Sequence, residues 1–383
     1  MYVDKGNYNS YPGGLVLSQI VLSGPNAFLE VSKMVEKWNA RKAFIVCGPF
    51  FDELGVASRV KVLGFDIVRF TNFTANPTIE QVKEGIKLFC ESKCDLIIAV
   101  GGGSAMDVAK CIKLFHQEKI DGDILSQPHK DTGVPLVCIP TTAGTGSEST
   151  RYAVVYKDGV KQSVADESII PSVAVLDGKV LRGLPVFQKK CTLLDALCQA
   201  IEAFWSVNST DESKKYSIIA IQKIISNYKE YLLGNDGVND EILLGANYAG
   251  RAINITQTTG AHAMSYKITS LFGLPHGYAV AVCLPTLWEY MVNNTQNCID
   301  ERGEDYLKSV FDEIANVLGY DNSICAIQGV KDLLKEMELD QPVIPEDKLN
   351  ELVKSVNPTR LKINPVKLDE RVIKELYERI SRC

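Results

Sequence analysis

The sequence predicts an α/β domain over residues 1–185 followed by an all-helical domain over residues 186–383. Three observations predict it. Short, continuously apolar runs alternate with amphipathic segments in the first half, and strand-like runs almost vanish in the second. The 383 residues also exceed the roughly 250–300 at which one hydrophobic core stops growing. In chain order, RKAFIVCG (41–48), DLIIAVGGG (95–103), VPLVCIPTT (134–142) and SVAVLD (172–177) read as strands, several of them closed by glycine. TIEQVKEGIKLFCESK (78–93) reads as a helix between two of them. Continuous apolar strands separated by helices indicate a mostly parallel sheet covered on both faces. Past Leu184–Pro185, the segments 190–206, 213–233, 241–254, 304–319 and 369–382 carry apolar residues at helical spacing.

The composition, 46% hydrophobic and 23% charged, is that of an ordinary globular chain. A net charge of −6 gives no electrostatic footprint for nucleic acid or an anionic membrane surface. The 11 cysteines are odd in number, form no CxxC pair and sit mostly in apolar runs, so reduced, buried thiols are expected. The opening MYVDKGNYNSYPGG has no apolar signal core, and no stretch reaches about 18 apolar residues. A cytoplasmic protein without a transmembrane helix is expected.

Two glycine-rich runs follow strands. VGGGSAMDVAK (100–110) opens a helix. Glycine lets a ligand approach the backbone, the N–H groups of a helix start can hold a pyrophosphate, and Ser104 is placed to cap the helix. The run lacks the GxGxxG spacing, and a tight strand–helix turn is the competing reading. In PTTAGTGSEST (140–150), Thr141, Thr142, Thr145 and Ser147 supply hydroxyls beside Gly144 and Gly146, enough to line the ribose or nicotinamide half of a dinucleotide. Two polar turns at strand C-termini are where open α/β sheets bind ligands.

Of four histidines, His129 falls in a surface-loop sequence and His116 near the end of a polar helical segment. His262 and Tyr266 lie at i and i+4 on one helix, His276 follows Pro275, and Asp195 and Gln199 lie at i and i+4 on another. Such groups on facing helices can converge on a metal, or can be polar residues satisfied one by one; spacing alone leaves both open.

The runs GGGSAMDVAK, PTTAGTGSE, DALCQAIEAF, HAMSY and PHGYAVAVCLP, in this order along the whole chain, resemble those of the iron-containing (group III) alcohol dehydrogenase family. The resemblance implies a Rossmann-like cofactor domain, a helical metal and substrate domain, and an active site in the cleft between them. It implies that Gly102, Gly103, Ser104 and Asp107 hold the pyrophosphate, with Thr141, Thr142 and Ser147 lining the rest of the cofactor site. It implies an Fe²⁺ or Zn²⁺ site at Asp195, His262 and His276, with Gln199 where the family has a further histidine. Tyr266 stands where the family often has another histidine. A Gln oxygen is a harder, neutral and weaker ligand than imidazole. Tyr266 or His262 would relay the proton to the new alkoxide.

Gly48 ends the first strand, where NAD-selective members often carry Asp. Nothing there repels a 2′-phosphate, and no sequence neighbour attracts one, so NADH with tolerance for NADPH is expected. SVNST (206–210) and VNPTRLKINPV (356–366) resemble the branch that reduces sulfoacetaldehyde or phosphonoacetaldehyde. Arg151 is the first candidate to hold the anionic group, Arg360 and Lys362 the next. A homodimer or larger homo-oligomer is implied by analogy. The competing readings are a general short-chain alcohol dehydrogenase, a dehydroquinate synthase-like lyase that shares the two-domain plan, and a non-catalytic binding protein.

Overall fold

The structure, a computed structural model, describes residues 2–5, 19–24, 27–61 and 64–382. Most of the polar opening run, and Cys383, lie outside the described residues. The chain divides into two compact units, Met1–Gly183 with Asp236–Asn247, and Leu184–Asn235 with Tyr248–Cys383.

The first unit runs β1 (Tyr2–Lys5), β2 (Ile20–Ser23), α1 (Ala27–Trp38), β3 (Lys42–Cys47), α2 (Val56–Lys61), β4 (Asp66–Phe70), α3 (Ile79–Glu91), β5 (Leu96–Gly101), α4 (Gly103–Phe115), β6 (Leu136–Pro140), β7 (Tyr152–Lys157), β8 (Val160–Ala165) and β9 (Val173–Leu176). Seven strands form one sheet in the order β1-β2-β9-β6-β5-β3-β4. Only the β1–β2 pair is antiparallel. The four strands read from the sequence, β3, β5, β6 and β9, lie in the interior of this sheet and are almost wholly buried, as apolar runs covered on both faces should be. α3 starts on a capping box: Gln81 N–H donates to Thr78 Oγ1 (3.3 Å), and Thr78 N–H donates to Gln81 Oε1 (3.0 Å). Phe44 meets Phe89 edge-on at 5.4 Å in the core beneath α3 and α4.

From β3 the chain passes to β4 on one side and then to β5 on the other. The turns after β3 and β5 therefore flank the topological switch point, where parallel sheets open a ligand crevice.

The second unit is helical: α5 (Val186–Trp205), α6 (Asp211–Leu232), the C-terminal part of α7 (Asn239–Thr256), α8 (Gly260–Phe272), α9 (His276–Asn293), α10 (Glu304–Leu318), α11 (Ser323–Glu336), α12 (Glu346–Ser355), α13 (Pro358–Leu361) and α14 (Glu370–Arg382). α5 is its buried axis and packs on α6 and α9, while α8 packs on α9. Trp205 at the end of α5 meets Trp288 and Phe311 edge-on (5.7 and 6.2 Å) and donates its indole N–H to Thr259 Oγ1 (2.8 Å). Among the described residues no helix is long and apolar enough to cross a membrane. The ten described cysteines are free thiols, seven of them buried; Cys90 and Cys325 are exposed.

Candidate active site

In the first unit the two glycine-rich turns face each other. A Cβ on Gly103 would stand 3.1 Å from Thr145 Cγ2, and one on Gly102 would stand 3.4 Å from Thr142 Oγ1. Thr141 N–H donates to Gly101 O (2.9 Å) and joins the turns at their base. Ser104 does not cap α4, contrary to the sequence expectation. The cap is Gly102, in extended conformation, and Ser104 lies one residue inside the helix, where its hydroxyl donates to Ala75 O. The first N–H groups of α4 thus keep no side-chain acceptor from the cap, which suits them to a bound anion.

Asp107 turns its carboxylate to the second run, accepting from Ser147 Oγ (3.1 Å) and from the Val154 N–H. Burial pushes its pKa up to about 6, against the pull of Lys110. One turn on, the fully buried Lys110 donates to Ser147 O (2.6 Å), Ser147 Oγ (3.1 Å), Thr150 Oγ1 (3.1 Å) and Tyr152 O (2.7 Å). α4 therefore clamps the segment that follows the second glycine-rich turn.

A Cβ on Gly48, at the end of β3, would meet nothing within 4 Å. No cation is its neighbour in the sequence, but one is brought close by strand pairing. β4 pairs with β3 and brings Arg69 beside the strand end, where its charge reaches the Cys47 thiol. Arg69 makes a two-pronged pair with Asp52 (2.5 and 2.8 Å) over the Phe51 ring (4.8 Å), and Lys61 joins Asp52 at 3.2 Å. Strand pairing across 24 positions is invisible to a reading of sequence neighbours.

Arg151, the first anion candidate, pairs with Glu167 and donates to Tyr152 Oη (3.2 Å). His116 ends α4 with its ring edge-on to Phe89 (5.0 Å). His129 lies in a loop, as expected, but its ring packs on Phe115 (4.8 Å).

In the second unit, α5, α8 and α9 bring Asp195, His262 and His276 together, with one ligand atom from each within 4.8 Å of the others. His262 Nε2 is 3.3 Å and His276 Nε2 3.9 Å from Asp195 Oδ1. Asp195 and His262 are buried, while the His276 side chain is 37% exposed. Gln199 hydrogen-bonds to Asp195. Burial would raise Asp195, but the bond from His262 and the neighbouring imidazoles hold its carboxyl below the usual value. Burial would lower His262, yet the Glu202 charge and the bonds to Asp195 and Glu202 lift it to about 10. Tyr266 lies flat on His276 (5.5 Å, interplanar angle 4°), and Arg360 lies over the other ring of that layer, 6.0 Å from the Tyr266 centroid. Arg360 donates to Thr258 Oγ1 (2.5 Å), and among the described residues no carboxylate pairs with it. Lys362 is exposed. One carboxylate and two imidazoles are a donor set suited to Fe²⁺ or Zn²⁺, so these residues fit such an ion.

Sequence reasoning missed three residues here. Glu202 continues the Asp195–Gln199 face at i+7 and contacts His262, and that helical spacing was the available signal. Lys110 stands on a helix face that is otherwise apolar. Gly277 gave no signal: a Cβ there would stand 2.0 Å from Cys191 O and 2.7 Å from Asp195 Cβ, so its lack of a side chain lets α9 approach α5.

A parallel sheet with glycine turns at its switch point, together with a helical Asp–His–His group, defines an oxidoreductase of the alcohol dehydrogenase class once the relatives are considered. Residues 18–178 match the family described as iron-containing alcohol dehydrogenase, and residues 190–381 match the C-terminal part of the Fe-containing alcohol dehydrogenase family. The chain belongs to the iron-containing alcohol dehydrogenase family. The NAD-dependent methanol dehydrogenase of Bacillus methanolicus is 33% identical over 273 residues, 68% of this chain and 71% of that one. The iron-containing alcohol dehydrogenase of Thermococcus thioreducens superposes with a TM-score of 0.85 at 26% identity, covering 95% of this chain and 98% of that one. The sulfoacetaldehyde reductase of Bifidobacterium kashiwanohense, solved with NAD⁺, has a TM-score of 0.85 at 23% identity, covering 94% and 96%; it shares the fold.

Proposed function

We propose that the chain reduces a small aldehyde carrying a sulfonate or phosphonate to its primary alcohol, with NADH as main donor and NADPH accepted. Sulfoacetaldehyde to isethionate and phosphonoacetaldehyde to 2-hydroxyethylphosphonate are the two reactions of this class. The observation that carries the anionic substrate is Arg360, an arginine with no carboxylate partner among the described residues, layered with Tyr266 and His276. Arg151 is the weaker candidate because Glu167 already meets its charge. Guanidinium matches sulfonate and phosphonate oxygens in two-pronged geometry.

Bound NADH supplies the hydride, and a bound Fe²⁺ or Zn²⁺ supplies Lewis acidity at the carbonyl oxygen. The N–H groups at Gly102, Gly103 and the start of α4 would hold the pyrophosphate, with Thr141, Thr142, Thr145 and Ser147 lining the remainder. Asp107 serves this site indirectly, through Ser147. Asp195, His262 and His276 would hold the cation, with Gln199 orienting Asp195 or adding a weak fourth donor. The Tyr266 hydroxyl, on a ring fixed by its stack on His276, would pass the proton to the alkoxide. Residues 1–185 would serve the cofactor and residues 186–383 the cation and substrate. The buried free thiols support a cytoplasmic setting, and the family resemblance supports a homodimer or larger assembly.

The test follows NADH oxidation with sulfoacetaldehyde, phosphonoacetaldehyde, propionaldehyde and glyceraldehyde, on stripped protein and after adding Fe²⁺, Zn²⁺ or Mn²⁺. Activity should vanish on chelation, return with metal, and favour an anionic aldehyde. Arg360→Leu should raise KM for that aldehyde about 30-fold, as loss of charge-assisted hydrogen bonds predicts, and leave propionaldehyde within threefold. Equal kcat/KM on charged and neutral aldehydes would favour a general short-chain alcohol dehydrogenase, the reading that the methanol dehydrogenase relative supports.

Cofactor choice has its own test. The space around Gly48 admits a carboxylate, which would repel a 2′-phosphate and satisfy ribose hydroxyls. Gly48→Asp is expected to cut kcat/KM for NADPH more than tenfold while NADH changes less than threefold. A similar fall with both cofactors would show that Gly48 does not face the ribose.

A further inference from the structure

We propose that Glu202 is a positioning residue that fixes which nitrogen of His262 faces the Asp195–His276 group, using the same carboxylate that closes the N-terminus of α8. The inference rests on the reading that Asp195, His262 and His276 hold a divalent cation.

Glu202 is 0% exposed. Its Oε1 accepts from Thr259 N–H (3.1 Å), Thr259 Oγ1 (2.8 Å), Ala261 N–H (2.9 Å) and His262 N–H (3.4 Å). The residue preceding α8, Thr259, makes no side-chain cap of its own. The first N–H groups of a helix have no partner within it, and a carboxylate is favoured at that end. A neighbouring helix therefore supplies the missing cap.

The second oxygen, Oε2, contacts His262 Nδ1. An ionised carboxylate can only accept, so Nδ1 must carry a hydrogen there. Nε2, on the side of Asp195, is then the nitrogen offered to a cation. A hydrogen bond of this kind to the far nitrogen sets both the tautomer and the ring orientation of a ligating histidine.

Glutamine at 202 separates the two duties. A carboxamide has one acceptor oxygen and one donor nitrogen. Four donors converge where Oε1 stands, which draws the amide oxygen to the helix terminus and turns the NH₂ toward Nδ1. The ring must then accept at Nδ1 and carry its hydrogen on Nε2, the nitrogen a cation needs. Glu202→Gln keeps the cap and inverts the imidazole.

The experiment uses the full chain, stripped and titrated with Zn²⁺ against a chelator of known affinity, for wild type, Glu202→Gln and Thr259→Val. Nitrogen-15 spectra of the Zn²⁺-loaded proteins, labelled at their four histidines, report which ring nitrogen of His262 bears hydrogen. E202Q should retain its circular dichroism and lose 10–100-fold in Zn²⁺ affinity. T259V, which damages the cap and leaves the contact to Nδ1, should melt earlier and bind Zn²⁺ within threefold of wild type. Zn²⁺ binding by E202Q within threefold of wild type would overturn the inference, and so would an equal loss in T259V, which would make the loss structural. The wild-type spectrum decides independently of how the variants fold: Nδ1 protonated with Zn²⁺ on Nε2 supports the inference, and the reverse ends it. A wild type that takes up no Zn²⁺ and no Fe²⁺ would sink the cation reading itself, and this inference with it.

Discussion

Gly277→Ala is expected to lower the melting temperature by about 2–12 °C and weaken metal binding at least 100-fold. Helix propensity alone predicts the opposite sign, because alanine is better than glycine inside a helix by about 1 kcal/mol. The sterics outweigh it. The added Cβ would lie 2.0 Å from Cys191 O and 3.0 Å from Asp195 N, both backbone atoms of α5 that no rotamer change can move. α9 must retreat at its first turn. Overpacking of this kind costs about 1–3 kcal/mol, sometimes more, and each kcal/mol is about 2–4 °C for chains of about 150–250 residues. His276 precedes Gly277 and retreats with it, away from Asp195 and from the Tyr266 ring. Thermal melting and Zn²⁺ titration check both parts. A G277A protein as stable as wild type would show that α9 does not press on α5 as described.

The second large effect is expected at Lys110. Lys110→Met keeps the length of the side chain and removes its ammonium, stranding two carbonyls, two hydroxyls and the nearby Asp107 charge. Breaking a buried charged cluster from one side costs about 3–5 kcal/mol. The held segment begins at Ser147, just past the turn that faces Gly102 and Gly103, so NADH affinity should fall as well. The pH dependence has a defined sign. The Asp107 pKa in the folded chain, about 6, is already above the ordinary carboxylate value because the group is buried, and losing Lys110 raises it further. A group bound more tightly to its proton in the folded state favours folding at low pH and disfavours it as pH rises through the folded pKa. The stability gap between K110M and wild type should therefore narrow from pH 8 to pH 5 in urea unfolding. Lys110→Met with Asp107→Asn should recover part of the loss, because no buried charge is left without its partner. A constant gap across that range would show that Asp107 does not carry the penalty.

The interior strands were legible because residues covered on both faces must all be apolar, and Gly101 to Gly103 and Gly48 mark their ends. The β7–β8 hairpin has a local sequence signal, Asp158-Gly159 between alternating runs, both residues with positive φ (52° and 73°). α9 was illegible for a physical reason. HGYAVAVCLPTLWEYMVN is apolar on nearly every face, and periodicity cannot tell a fully buried helix from a buried strand. At the site, spacing suggested Asp195, His262 and Tyr266 as members of helix faces, but it could not show that three helices bring Asp195, His262 and His276 within reach of one ion. Arg69, Glu202 and Gly277 depend on partners far away in sequence, and a single chain read locally holds no record of those distances.

The first unit is not a continuous stretch of chain, because Asp236–Asn247 belongs to it. Asp240 Oδ1 accepts from Gly178 N–H (2.7 Å), and Asn247 Nδ2 donates to Ser149 Oγ (2.5 Å) and Glu148 Oε1 (3.0 Å). On the ribosome the sheet emerges first, yet the side chains of Glu148 and Ser149 lack this amide donor until Asn247 has been translated. At about 5–20 residues per second that is a wait of several seconds, during which the nascent sheet is open to chaperones and proteases. A gene cut at residue 183 would make that interval permanent.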